Sequence, residues 1–273
     1  MTSGVMLAAT ALCYLLAAVL LGANLLLRKN GWLWAGRVAA TVGATLHMAA
    51  IGFRCVELGQ APFTTPAESL SLLAWIVALA YLAVELFWRL SAAGTFALGT
   101  AFLLVTLGGL LSGTASVGGG NAALLNERAV SLHILATVGA IAAFVLAFAC
   151  AALYLLSHRI LKSKHGLTWI KRLPPLVTVE QASFALVAVG FPLLTLGIAS
   201  GWLRAMAGNG LPDGWQYDTK TLLAYAVWLV YAAYLWARLR AGWTPVRTAY
   251  ILLVGLALSL LLFLVPSATH RFS

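Results

Sequence analysis

Long runs of apolar residues alternate with short polar or charged segments along nearly the whole chain. Each run is close to the roughly 20 residues that an α-helix needs to cross the hydrocarbon core of a bilayer. The approximate limits of the runs are 4–27, 36–57, 67–88, 94–113, 129–157, 180–203, 220–237 and 246–266. They are too long for the strands of a membrane β-barrel, which need only about 9–11 residues of alternating polarity. The pattern therefore predicts an all-α fold, a polytopic transmembrane helical bundle with about eight spans.

The composition supports the membrane interpretation. Of the 273 residues, 62% are hydrophobic and 9% are charged, whereas a soluble domain carries about 25% charged residues. The spans use most of the length, so residues 1–273 are predicted to form a single membrane domain. The first run, from Gly4 to Leu27, is predicted to be a span rather than a cleavable signal peptide, because it is too long for an h-region and no basic segment precedes it.

The basic residues predict the orientation of the bundle. They form short clusters between apolar runs, which is typical of topology signals and gives nucleic acid no basic face to bind. Of the 17 Lys and Arg residues, 12 lie in or beside the odd-numbered connections: Arg28, Lys29, Arg37, Arg89, Arg159, Lys162, Lys164, Lys171, Arg172, Arg238, Arg240 and Arg247. By the positive-inside rule these connections are cytoplasmic and both termini are on the outer face. We expect a multi-pass protein of the bacterial inner (plasma) membrane.

The histidines are the main candidates for a binding site, because an ionisable side chain inside a span usually marks one. His133 lies about one turn into the fifth run, at its predicted outer end, and His270 follows the last run on the same face. Two imidazoles that approach one face from different elements can supply both axial ligands of a haem iron. His47 lies near the middle of the second run, where it either contributes to cofactor binding or hydrogen-bonds a neighbouring helix. His158 and His165 are interpreted as part of the basic cytoplasmic connection.

The outer connection between the sixth and seventh runs is rich in aromatic residues around a Gly-rich turn. Its candidate binding residues are Trp202, Trp215, Tyr217 and Asp218. One interpretation is the aromatic belt that membrane proteins place at the bilayer interface. The other is a flat platform for a planar hydrophobic ligand, with Arg204 or Arg128 available for the carboxylates of that ligand.

No hydrolytic or redox active site is visible in the sequence. The cysteines, Cys13, Cys55 and Cys150, form no CxxC pair and have no metal-ligand spacing. We therefore expect a protein that handles a ligand rather than an enzyme, or at most a component of a lyase system.

Four segments, in order along the chain, resemble landmarks of a known family. Residues 67–70 with Trp75 resemble the Glu-Ser-Leu segment of its third helix, and residues 190–197 resemble the helix before its tryptophan-rich loop. Residues 215–221 resemble the Trp-Asp-Pro-Lys-Glu-Thr core of that loop, and residues 222–240 resemble the helix after it. The family is the cytochrome c assembly (CcsA/CcmC/HemX) superfamily of haem-handling membrane proteins. The likeness runs from the second span onward.

The resemblance implies a function and a set of ligands. It implies a non-covalent, b-type haem that is held or moved at the outer face for cytochrome c biogenesis. Apocytochrome c or another biogenesis protein is then an expected partner, beside the lipid bilayer. The two external histidines of the family match His133 and His270, and a histidine in an early span matches His47.

The sequence departs from the family in two places, and these departures leave alternatives open. The tryptophan-rich loop is abbreviated, with Tyr217 and Thr219 where the family core has Trp and Pro, and Trp236 occupies the position of a second transmembrane histidine. The layout is therefore closer to the HemX or YpjD branch. One alternative is a HemX-like regulator of haem biosynthesis that acts through a partner at residues 158–172. The other is a small-molecule or ion transporter, which would need more polar groups inside the spans than are present.

Overall fold

The computed structural model describes residues 2–27, 29–59, 65–112, 128–162, 173–206 and 214–265. These residues form eight helices long and apolar enough to cross a membrane, and none of them forms a strand. The helices are α1 (Thr2–Leu27), α2 (Asn30–Leu58), α3 (Pro66–Trp88), α4 (Ser91–Ser112), α5 (Arg128–Lys162), α6 (Leu176–Met206), α7 (Thr219–Leu239) and α8 (Pro245–Leu264). The predicted all-α polytopic bundle of about eight spans is confirmed.

The helices pack in two groups that meet at α5. In the first group α1 packs against α2 and α4, and α3 packs against α4; in the second, α5 packs against α6 and α8, and α7 against α8. Helix α5 also contacts α3 and α4. It is the most buried of the spans, because 67% of the residues in its most apolar stretch are buried inside the protein. The bundle is therefore built around α5, which carries His133 near its start.

Local sequence signals set the ends of several helices. Thr65 and Glu68 form a capping box at the start of α3, in which each side chain accepts a hydrogen bond from the backbone N–H of the other residue. Asp218 caps α7 by accepting a hydrogen bond from the backbone N–H of Lys220 at 3.1 Å. At the other end of a helix, Gly59 terminates α2 with a φ of +65°.

Glycine and stacked rings allow close contact between the helices. A Cβ at Gly94 of α4 would lie 2.4 Å from Cζ of Tyr81 in α3, so only glycine fits at that crossing. Phe144 of α5 and Tyr231 of α7 stack with ring centroids 3.5 Å apart, and a Cβ at Gly255 of α8 would lie 2.8 Å from the same tyrosine ring. Because the hydrophobic effect does not drive the association of helices within lipid, such close packing is a main source of stability in the bundle.

Ion pairs join neighbouring helices near both ends of the bundle. Arg37 of α2 donates from Nε to Oε1 of Glu85 in α3 at 2.8 Å, and Arg238 of α7 pairs with Glu180 of α6. At the opposite end, Nε of Arg54 lies 3.5 Å from Oε1 of Glu68. Many large apolar side chains are exposed along the sides of the spans.

Candidate functional site

His133 lies in the second turn of α5 and contacts α6. Its Nδ1 lies 2.7 Å from the carbonyl oxygen of Gly197 and 3.1 Å from Oγ of Ser200. A Cβ at Gly201 would lie 3.6 Å from Cε1 of the imidazole. These three residues of α6 are spaced i, i+3 and i+4, so they form one small, polar face against which the ring packs.

The hydrogen bond to Gly197 fixes the tautomer of His133. A carbonyl oxygen only accepts, so Nδ1 carries the hydrogen and Nε2 keeps its lone pair. Within the residues that the structure describes, nothing hydrogen-bonds Nε2. A histidine whose Nδ1–H is held by a backbone carbonyl, with Nε2 free, has the arrangement typical of metal-ligating imidazoles.

Arg204 lies one turn beyond Gly201 on α6. Its Nε is buried and has no hydrogen-bond partner among the described residues. Buried donors are normally paired, so this one has capacity for a further acceptor. A guanidinium next to a histidine suits a ligand that carries a carboxylate. The other arginine predicted here, Arg128, begins α5, and its side chain lies outside the described part of the chain.

Aromatic side chains join α6 to α7. We call them the aromatic cluster: Phe191, Trp202, Trp215, Tyr225 and Trp228. Trp202 follows Gly201 directly and donates from Nε1 to Oη of Tyr225 at 2.7 Å. Its ring meets that of Trp215 edge to face, with centroids 5.1 Å apart. Trp228 donates to Oγ1 of Thr195 at 3.0 Å and lies against Phe191, with centroids 5.2 Å apart.

The turn before α7 holds the remaining predicted residues of the outer connection. Gly214 has a φ of +80° and leads into a short 3-10 helix, Trp215–Tyr217. The left-handed backbone at Gly214 favours glycine. Tyr217 is 75% exposed, and Asp218 caps α7. The structure thus brings Trp202 and Trp215 together, leaves Tyr217 exposed, and gives Asp218 a capping contact.

His47 has a different environment from His133. It is completely buried, with Nδ1 3.1 Å from Oη of Tyr14 in α1 and Nε2 2.9 Å from Oγ of Ser71 in α3. Both ring nitrogens are therefore used in contacts that tie three helices together. Trp236, at the position where the family has a second transmembrane histidine, is 61% exposed on the outside of the bundle.

Some contacting residues of the site did not stand out in the sequence. Gly197 and Ser200 hold the imidazole, and Thr195 and Tyr225 anchor two tryptophans. Thr195 and Gly197 lie in segment 190–197 and Tyr225 in segment 222–240, but the resemblance of these segments to the family predicts no contact for them; Ser200 lies in an apolar run outside both segments. The spacing of small residues at 197, 200 and 201 is a signal for a close helix contact. His270 lies outside the described residues.

Comparisons with known proteins agree with this architecture. A family model described as cytochrome C assembly protein matches residues 64–270, from just before α3 to beyond α8. The chain is 27% identical to the cytochrome c biogenesis protein CcsA of Guillardia theta over 221 residues, which cover 75% of this chain and 73% of the relative.

Two shorter alignments show higher identity. The chain is 42% identical over 86 residues to the cytochrome c biogenesis protein CcsA of Thermosynechococcus vestitus, and 41% identical over 78 residues to that of Synechococcus elongatus. These alignments cover 32% and 29% of this chain. They span only about a quarter of those relatives, 26% and 23% of their lengths.

Proposed function

Because the chain belongs to the cytochrome c assembly protein family, we propose that it holds or moves haem at the outer face of the membrane for cytochrome c biogenesis. Apocytochrome c, or another biogenesis protein, is the partner that this function requires. The curated relatives carry cytochrome c biogenesis in their names, which supports the proposal.

The observation that carries the proposal is the hydrogen bonding of the two ring nitrogens of His133. Its Nδ1–H is held by the carbonyl oxygen of Gly197, and its Nε2, which has no hydrogen-bond partner in the described part of the chain, can bind iron. A non-covalent, b-type haem would supply an iron that accepts imidazole nitrogens and two carboxylates that accept hydrogen bonds. In this proposal His133 and His270 ligate the iron.

The neighbours of His133 suit the rest of a haem. Trp202, which is 39% exposed and follows Gly201 in the chain, and Trp215 offer apolar ring surface for a planar macrocycle. The Nε of Arg204, which has no hydrogen-bond partner among the described residues, suits a haem carboxylate. Tyr217 adds exposed aromatic surface, and Asp218 fixes the turn that presents it. His47 contributes to stability rather than to ligation, because both of its ring nitrogens are occupied.

The distribution of charge supports placement at the outer face. His133 near the start of α5 and Trp202 near the end of α6 lie at the end of the bundle opposite the basic connections. By the positive-inside rule we expect the basic end to be cytoplasmic. In this proposal the haem site faces outward.

The test is the absorption spectrum of the purified full chain with haem. His133→Ala and His270→Ala should each convert a six-coordinate spectrum to a five-coordinate one, and the double variant should lose haem. His158→Ala, which removes a histidine at the opposite end of α5, is the control and should leave the spectrum unchanged. If both single variants keep the six-coordinate spectrum, the ligand assignment is wrong.

A further inference from the structure

A groove opens between the last two turns of α5 and the first two turns of α8. It has a volume of about 370 Å³ and is lined by Leu155, His158, Arg159, Lys162, Val246 and Tyr250. That volume is within the roughly 300–1,000 Å³ usual for small-ligand sites. None of these lining residues is acidic. The groove lies at the end of α5 opposite His133, so it is separate from the proposed haem site.

The polar wall of the groove comes from α5. Arg159 and Lys162 are three residues apart, and His158 and Lys162 are four apart, so their side chains gather on neighbouring parts of the helix surface. Arg159 and Lys162 are exposed, and their charges are directed at the groove rather than used in a described ion pair. His158 is restrained by Tyr154, whose ring lies nearly parallel to it with centroids 6.2 Å apart. The wall therefore offers two positive charges, from Arg159 and Lys162, and the ring N–H of His158 to an anion.

The other wall of the groove continues as an apolar stripe along α8. Tyr250 lines the groove and is 48% exposed; Val254 and Leu261 on the same stripe are 54% and 43% exposed. With Ala257, these residues are spaced i, i+4, i+7 and i+11, which is one face of a helix. The stripe runs from the groove along the length of the span. A ligand that fits both parts has an anionic head and long apolar chains.

We propose that this groove binds the headgroup of an anionic phospholipid, with the acyl chains of the lipid along the α8 stripe. Arginine and lysine bind phosphate oxygens through charge-assisted hydrogen bonds. Basic pockets between transmembrane helices at the cytoplasmic side are typical sites for such headgroups. Free phosphate shares the chemistry of the headgroup, but it has no acyl chains that could pack against the α8 stripe.

The test is native mass spectrometry of the full chain in a non-ionic detergent, titrated with phosphatidylglycerol or with phosphatidylcholine of the same acyl chains. We expect about tenfold or greater preference for phosphatidylglycerol, because both cations attract its net negative headgroup, whereas the choline ammonium of phosphatidylcholine offsets the charge of its phosphate. The double variant Arg159→Gln, Lys162→Gln should lose this preference. Val246→Trp, which fills the groove without changing charge, should lose it as well.

The matched control is Lys29→Gln, Arg240→Gln, which removes the same charge at the same end of the bundle from residues that do not line the groove. It should keep the preference. Equal loss in the control and the groove double variant, or full retention in Val246→Trp, would show that the lipid is held by general charge and would overturn the proposal. Displacement of phosphatidylglycerol by an equal concentration of inorganic phosphate would also overturn it, because the ligand would then be free phosphate.

Discussion

His133 and His47 both lie inside spans, but the contacts of their ring nitrogens give them different capacities. His133 has one nitrogen held by Gly197 and one that no described residue hydrogen-bonds, whereas His47 has both nitrogens hydrogen-bonded, to Tyr14 and Ser71. The sequence predicts each histidine to be inside a span. It does not predict the partners, because these lie on other helices, 64 positions away for Gly197 and 33 for Tyr14.

Replacement of His47 should affect stability more than haem. His47→Ala leaves the hydroxyl groups of Tyr14 and Ser71 without their partner in a buried place, which should lower the free energy of unfolding by about 1–3 kcal/mol. Most of the haem should remain bound, as measured by the absorption spectrum beside a thermal melt in detergent. Tyr14→Phe, which removes one of the two contacts, should give part of the stability loss. A His47→Ala protein that is fully folded but devoid of haem would make His47 the principal ligand and disprove our assignment.

Arg204 should set affinity for haem without setting the coordination of its iron. Arg204→Gln removes a charged donor to a haem carboxylate, so affinity should fall about 10- to 100-fold, the value of one charged hydrogen bond. The six-coordinate spectrum at saturating haem should persist, because both iron ligands remain. Arg204→Lys keeps the charge and should recover part of the affinity in the same titration. Unchanged affinity in Arg204→Gln would remove this residue from the site.

At the scale of single helices, hydropathy locates the spans, but some helices extend beyond the ends that it predicts. Hydropathy predicts that the second span begins at 36, beside Arg37, whereas α2 begins at Asn30. Arg37 is accommodated within the helix by its ion pair with Glu85 of α3. Hydropathy also predicts that the fifth span ends at 157, whereas α5 continues to Lys162. A helix that leaves the hydrocarbon core can continue among polar headgroups, so a charged residue does not by itself end it.

The contact of α5 with α6 depends more on Gly197 than on Gly201, one turn later in α6. A Cβ at Gly197 would lie 2.5 Å from Oγ1 of Thr137, whereas one at Gly201 would be in ordinary contact with His133. Gly197→Ala should therefore destabilise the protein by about 1–3 kcal/mol through overpacking and should alter the haem spectrum, while Gly201→Ala should do little to stability. Thermal melts and spectra of the two variants provide the comparison.

Thr137 provides the internal control for that prediction. Thr137→Ala removes the atom that a Cβ at Gly197 would strike, so the double variant Gly197→Ala, Thr137→Ala should be more stable than the sum of the two single changes implies. Strict additivity would show that the two helices do not meet there as described.

The arrangement of the whole molecule was predictable in class but not in detail. Uninterrupted apolar runs specify a bundle of about eight spans, because the bilayer admits few other folds. They do not specify which helices are neighbours, since every span is apolar on most of its surface. That α1 packs on α4 depends on close contacts such as Gly94 with Leu21, and the packing of α6 on the central α5 depends on contacts such as Gly190 with Phe144. The resemblance to the cytochrome c assembly family is confirmed by the family match.

Orientation is the prediction on which the outer-face proposal rests. In a variant without the native cysteines, single cysteines at Ser273 and Lys164 should be labelled from opposite sides of the membrane by an impermeant thiol reagent. Position 273 should react in intact cells, and position 164 only after the membrane is opened, because the basic connection is predicted to be cytoplasmic. Labelling of both positions from the same side would refute the orientation.

Helix α5 is longer than a membrane is thick. Its 35 residues extend about 52 Å, whereas the hydrocarbon core measures about 30 Å. Helix α8, with 20 residues, is only about 30 Å long. In a thicker bilayer the ends of α8 would enter the hydrocarbon core, whereas the ends of α5 would still extend beyond it. The shortest spans, such as α8, therefore limit the bilayer thickness that the protein tolerates, whereas α5 is long enough to reach both headgroup regions of a thicker bilayer.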